Sequence, residues 1–545
     1  MFDKVYAPNV HLFAFHAHKV LAGDANSNEG NINYLWDKCN RILTALGVNK
    51  KFNRENLTSY QKSEPPGTRI DLIVPEKVGN RRSLPFEKTI QQGNVKIPIK
   101  GFALPKRISD SYALGLNIRV PEKEAGQKTE PVDISIFKQF NPSNCLFNPN
   151  HYSLPLDPNL NFLGQTILIT ITLTDEQNEA AAKTDSNFLK NLADKCLESL
   201  IQCPLKTPTF SGEGKLFGSP IFEYGSLSQI EDSWHILIWL FTNPTTSERL
   251  FDCYNDLLEL LLYRNKILHT YHERDKIYYV TRDEYEQIEQ IINETFENLN
   301  KEKSYPQRLS QNVLQKLNTQ LMQMPTKAVE YARLLRDIEI RQHTLNINTQ
   351  NYKDKVSKIR TYLKSKSDPL DLKFLETFSK ETCVTFQKQI TADLGYFQHG
   401  SGLLDTAINS IRGMVDIEEA QRDRDLQVTV QALGFGLATA GVVATSIPYL
   451  IKAEPENYPI RLPFTTRAIN FPTSEIHPFS LVLLMSLGAG LLGARLGVWA
   501  VVSGVMNLKR IVASVRKLVG FQPKLPPKQD KPNSPDKDKD PELPA

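Results

Sequence analysis

Ten histidines, six cysteines and 61 acidic side chains could supply ligands or catalysts, and their spacing decides whether they do. His11, His16 and His18 lie close together, and on a strand His16 and His18 would share a face, as a two-ligand metal site begins. No Asp, Glu or Cys follows at a spacing that completes such a site, so structural or solvent-exposed imidazoles are expected. Ser211 to Pro220 reads SGEGKLFGSP. A phosphate-cradling loop needs Ser or Thr after its lysine; here Leu216 follows Lys215, and a turn between elements is expected. The cysteines (Cys39, Cys145, Cys196, Cys203, Cys253, Cys383) form no Cys-x-x-Cys pair, which suits a reducing compartment, and Cys196 and Cys203 suit burial on a helix. No nucleophile elbow, His-Glu-x-x-His or paired-carboxylate signature occurs. No enzyme chemistry is expected and no cofactor is evident.

The remaining polar groups of interest lie inside apolar sequence. Leu426 to Ile451 carries no charge, and Pro478 to Leu508 carries one, Arg495. Steps of three and four from Leu403 trace a stripe of mostly small or polar residues. Its membrane part is Gln427, Gln431, Gly434, Ala438, Gly441 and Thr445, with Leu437 at its edge as a candidate hydrophobic constriction. A polar stripe across a bilayer must face protein or water. Two readings are open: close helix packing through small residues, or the lining of a water-filled pore. Arg495 likewise reads either as a side chain reaching the cytoplasmic headgroups or as a pore or gating charge. Gly493 and Gly497 form a small-xxx-small pair that permits close helix contact.

Elements long enough to carry these residues follow from the same pattern. At about 1.5 Å per residue the first run extends roughly 39 Å, more than the ~30 Å of a hydrocarbon core. Residues 426–451 and 478–508 are therefore read as transmembrane helices joined by an extracytoplasmic loop, 452–477. Lys509, Arg510, Arg516 and Lys517 form a basic juxtamembrane segment (509–521), and the N-terminus has no basic leader with an apolar core. On both features the two termini are expected in the cytoplasm of a multi-pass plasma- or inner-membrane protein. Residues 522–545, rich in Pro, Lys and Asp, are expected to be disordered. Net charge of +4 gives no footprint for nucleic acid.

Residues 1–280 read as a cytoplasmic α/β domain. Leu35 to Gly47 is a helix stopped by glycine, and strand patterns begin near Arg69, Val95, Tyr112 and Val132. Gln165 to Thr174 alternates Ile or Leu with Thr, as a half-buried strand does. Asn187 to Ile201 is a helix, Trp234 to Thr242 a central strand, and Ser247 to about Tyr271 a helix. Strand followed by helix, twice, favours a layered α/β fold. Over 281–425 strand signals vanish. A coiled-coil-like stalk is expected, with Ala328, Ala332, Leu335, Ile338 and Leu345 or Ile347 on one face, a break at Ser367-Asp368-Pro369 and a weak point at Gly400-Ser401-Gly402. The fold class is thus mixed: an N-terminal α/β domain, a helical stalk and two C-terminal transmembrane helices.

SGLLDTAINSIRGMVDIEEAQRDRDLQ (401–427), running into the first apolar run, resembles the stalk helix and inner transmembrane helix of the CorA family of divalent-cation channels. LLRDIEIRQHTLNINTQNY (334–352) is similar to the long helices of CorA-like membrane proteins. The resemblance spans roughly Lys327 to Leu518. It implies a homo-oligomer, a pentamer with the first span innermost, moving a divalent cation such as Mg. The family's Gly-Met-Asn signature is missing: the end of the first span reads ATSIPYLIKAEPENYPI, and GVMN (504–507) ends the second span instead. The other expectation is a membrane-anchored interaction or signalling effector without transport activity, its cytoplasmic domain binding a partner.

Overall fold

A computed structural model of the chain describes residues 3–17, 33–53, 57, 69–74, 82–147, 162–183, 187–202, 207–225, 235–302, 309–366, 371–450, 459–461, 468–470, 480 and 482–499. His18, Cys203, the Ser367-Asp368-Pro369 break, residues 500–508 of the second apolar run, the basic segment and the tail lie outside them. The described residues belong to two compact units, Met1–Lys301 with Thr319–Ile408 and Glu302–Asn318 with Asn409–Ala545.

The first unit holds the strands β1 (Lys4–Ala17), β2 (Arg69–Asp71), β3 (Leu84–Gln92), β4 (Val95–Ile108) and β5 (Ser111–Arg119). The short ribbon β6 (Lys123–Glu124) and β7 (Gln127–Lys128) follows, then β8 (Val132–Asp133), β9 (Phe162–Thr172), β10 (Phe210–Leu216), β11 (Ser219–Tyr224) and β12 (His235–Phe241). The main sheet runs β10-β11-β12-β9-β1-β5-β4-β2, with β3 paired to β4 and β8 to β1. β9 and β12 run parallel, and the other pairings are antiparallel. Parallel neighbours need a crossover, and the chain between them supplies α3 (Asp175–Lys183) and α4 (Asn187–Leu200).

Alternation along the strands explains the two helical layers. Val10, Leu12 and Ala14 of β1 share a core with Ile167, Ile169 and Ile171 of β9 and with α1 (Tyr34–Ala45), α2 (Ile136–Phe140) and α4. The opposite face presents His11 and Phe13 to Tyr254 of α5 (Pro244–Glu302), both ring centroids 5.5 Å away. β9 is thus buried on both sides rather than half-buried: Thr166 is 0% exposed and Thr170 2%. The pattern near Val132 is a strand for two residues only. Ile136, Phe137 and Phe140 then turn into α2, because their spacing of one and four suits a helix face. SGEGKLFGSP is the β10–β11 hairpin, its turn at Phe217 and Gly218, both with positive φ.

The long helices are α5, α6 (Gln311–Ser365) and α8 (Cys383–Leu450), with the short α7 (Lys373–Thr377) and a π-helical turn (Phe378–Thr382) before α8. Position 280 falls inside α5, and position 425 inside α8. Along α6, Leu317, Met324, Tyr331, Ile338, Leu345, Tyr352 and Ile359 are all buried at steps of seven. Along α8, Cys383, Ile390, Phe397, Leu404 and Ile411 repeat that interval. A seven-residue repeat is the signature of coiled-coil packing. The face expected on α6 is off in part: Ala332 and Ile347 are exposed, and tyrosines rather than alanines fill the seam. Tyr331 donates to Phe397 O at 2.7 Å and Tyr352 to Leu375 O at 2.9 Å. Gly400 is no break. α8 runs through it, and a β-carbon there would lie 2.5 Å from the Tyr285 ring, so glycine admits two tyrosines, Tyr285 and Tyr331.

In the second unit, α8 continues from Asn409 to Leu450, and α9 (Val482–Trp499) follows. Between them Pro459–Arg461 and Ala468–Asn470 form an antiparallel ribbon. α8 and α9 are long and apolar enough to cross a membrane.

Candidate functional site

α8 and α9 pack through glycine. A β-carbon on Gly436 would lie 2.9 Å from Gly490 O, one on Gly497 2.9 Å from Phe435 Cβ, and one on Gly493 would strike the Thr439 side chain. Both members of the Gly493/Gly497 pair therefore sit at the contact, where small residues let backbones approach. Thr439 Oγ1 donates to Phe435 O at 2.6 Å, so its hydroxyl is satisfied within its own helix. A β-carbon at Gly490 would lie 3.3 Å from Ala440 Cβ, close to the ~3.5–4.5 Å of a disulfide. The double variant Ala440→Cys/Gly490→Cys should cross-link on mild oxidation, read as a mobility shift, and adding Gly436→Leu should abolish it.

The stripe of small and polar residues lies elsewhere on α8. Gln427, Gln431, Gly434, Leu437, Ala438, Gly441 and Thr445 are all exposed, Leu437 at 74%. A β-carbon on Gly434 or Gly441 would meet no described atom within 4 Å. The geometry is a matter of pitch: Gly434 and Gly436 are two residues, or about 200°, apart, so the stripe and the α9 contact occupy opposite sides. The small residues that pack α8 against α9 are thus not those of the stripe. Thr445 Oγ1 donates back to Gly441 O at 2.9 Å, which turns its hydroxyl toward the helix. Arg495 is exposed on α9, two residues before Gly497 and therefore also turned from the contact.

The first unit contains a chain of polar groups that sequence patterns did not reveal. Asn265 Nδ2 donates to Thr166 Oγ1 (3.3 Å), Thr166 bonds His235 Nδ1 (2.9 Å), and His235 Nε2 meets Glu223 Oε1 (2.9 Å). Arg264 Nη2 donates to the same Glu223 oxygen at 2.8 Å, and its guanidinium lies 5.1 Å from the Phe378 ring centroid. Burial raises the Glu223 carboxyl, but the His235 hydrogen bond and the Arg264 charge outweigh it and bring it down to about 2. Burial and the Arg264 charge push His235 down to about 4 despite Glu223. The imidazole is then neutral, donating through Nε2 and accepting at Nδ1. Acid, imidazole and hydroxyl are connected as in a hydrolytic triad. Thr166 is fully buried, however, so the chain ends inside the protein and not in a cleft. Its effect is to tie β9, β11 and β12 to α5, and α5 to the π turn. Glu223 and His235 meet only through the β11–β12 pairing, and a lone Glu and a lone His in sequence carry no such signal.

A second buried group stands alone. Lys38 of α1 is 2% exposed and its Nζ finds no acceptor among the described residues. Burial, with the Arg41 charge adding, pushes its ammonium down to about 7. Of the histidines, His11 is buried with Nδ1 3.4 Å from Tyr254 Oη and 3.2 Å from Asn117 Nδ2, and burial with the Arg119 charge pushes it down to about 3. His16 is buried with Nδ1 2.8 Å from Ala17 O. Among the described residues no group of three His, Cys, Asp or Glu side chains could hold a metal ion.

The sequence matches no protein-family model and no curated protein.

Proposed function

We propose that the protein is a CorA-like integral membrane protein in which several copies line an ion path with the outward stripe of α8, gated by a cytoplasmic α/β domain. The observation that carries this reading is the opposition of faces on α8. Gly436 and its neighbours serve α9, whereas Gln427, Gln431, Gly434, Ala438, Gly441 and Thr445 are exposed among the described residues. Such a face is costly against lipid and acceptable against water or other copies. Leu437 at its edge is the constriction, and movement carried along α8 opens or closes it. A divalent cation such as Mg is the ion that the family resemblance suggests, and both termini lie in the cytoplasm in this reading.

Two measurements test it. The purified full-length protein should be a homo-oligomer, a pentamer if the resemblance extends to assembly. In liposomes Leu437→Asn should raise divalent flux and Gln431→Leu lower it, each by about tenfold or more if one wetting barrier controls the path. Flux indifferent to both substitutions would defeat the channel. A monomer or dimer with no flux would favour the second reading, a membrane-anchored interaction or signalling protein. The absence of the Gly-Met-Asn triplet after the first span is the observation on that side.

A further inference from the structure

The outward face of α9 has a composition of its own. Measured around the helix from Arg495, Leu484, Leu491, Leu492 and Trp499 all fall within about 60°. The leucines are 74, 73 and 64% exposed and Trp499 is 68% exposed. On the opposite side Gly490, Gly493 and Gly497 contact α8. Gly497 meets Phe435 and Gly493 meets Thr439, so Arg495 lies level with about residue 437, six residues or ~9 Å along α8 from Gln431. The first apolar run exceeds the ~30 Å core by about 9 Å, and with that excess at its cytoplasmic end the core begins near residue 432. A guanidinium level with residue 437 thus starts about 8 Å deep and extends toward the headgroups, and an indole one turn further on lies at the interface. A ladder of leucines is a poor complement to the Gln and Gly face of a second α8, but it suits acyl chains. The positive charge at its end suits a phosphodiester, which arginine binds through paired N–H groups.

We propose that Arg495 and Trp499 form a binding site for an anionic phospholipid, its phosphate on the guanidinium and its chains along Leu484, Leu491 and Leu492. This rests on the membrane-spanning reading of α9, though not on conduction. Trp499 itself reports occupancy. The full chain, with Trp499→Phe as the blank, is reconstituted into phosphatidylcholine vesicles containing equal mole fractions of either brominated phosphatidylglycerol or brominated phosphatidylcholine. Brominated phosphatidylglycerol should quench Trp499 more strongly, with a local enrichment about fivefold greater than in Arg495→Gln. The basic residues after the span attract anionic lipid in both proteins, so that difference isolates Arg495. Enrichment unchanged by Arg495→Gln overturns the site and leaves the membrane reading intact. Trp499 unquenched by either lipid, both in the assembly and after dilution to single chains, overturns both. Quenching that appears only when the assembly is diluted to single chains assigns the face to a second copy and overturns the lipid site.

Discussion

Replacing Glu223 with Ala is expected to cost about 3–5 kcal/mol of folding stability, the range for removing one partner of a buried ion pair. Arg264 would remain with 6% of its side chain exposed and its counter-ion gone, while His235 would lose the acceptor for Nε2. The paired change Glu223→Leu/Arg264→Met should cost much less, since it removes the uncompensated charge together with its partner. Urea unfolding of the detergent-solubilised full chain, followed by tryptophan fluorescence, reads both. A loss below about 1 kcal/mol in the single variant would show that water reaches the guanidinium and that this chain of contacts is no tie. Acid should act on the same residues. The unfolded Glu223 titrates near 4.5 and the folded one at about 2, so its contribution is complete above 4.5 and disappears as pH falls toward 2. His235 works earlier: the unfolded imidazole takes a proton near 6.5 and the folded one near 4, so stability declines as pH drops between them.

Lys38→Met should raise stability at neutral pH by on the order of a few kcal/mol and remove a slope on the alkaline side. The unfolded lysine holds its proton up to about 10.5 and the buried one only up to about 7. Between those values the unfolded chain binds more protons, so the stability of the natural protein rises with pH across that window. Below 7 the whole penalty of a buried ammonium is present. Methionine fills a similar volume without charge. Trp36 on the same helix, packed edge-on against Tyr112 at 6.2 Å, reports α1 directly. A variant no more stable at pH 7, with the alkaline slope intact, would refute the assignment.

Where side chains alternate or repeat on one face, the fold was legible from sequence. β9 announces itself through Ile and Thr, β12 through an unbroken apolar run, and α1 through its spacing and the positive-φ Gly47 behind it. β1 was less visible, since its alternation is mixed with Pro8, His11 and His16, and only its pairing with β5 and β9 makes it the middle of the sheet. The seam of α6 was legible only in part, at Ile338 and Leu345, for a different reason. The aliphatic pattern runs through Ala328 and Ala332, while Tyr331 and Tyr352 hold buried positions because their hydroxyls find carbonyl acceptors. On α8 the polar and small residues were legible as a stripe, but which side α9 would cover depends on the meeting of Gly436 with Gly490, too far apart in sequence for a local pattern to span. The Glu223–His235–Arg264 contacts depend on strand register in the same way.

The tyrosine seam restricts how a signal could travel along the helices. Shifting α6 by one heptad against its neighbours would keep apolar positions facing one another, yet it would strip Tyr331 and Tyr352 of the carbonyls of Phe397 and Leu375. Two buried phenols without acceptors would cost roughly 1–3 kcal/mol each. A piston stroke is thereby penalised, whereas twisting or bending about a fixed register leaves both bonds in place.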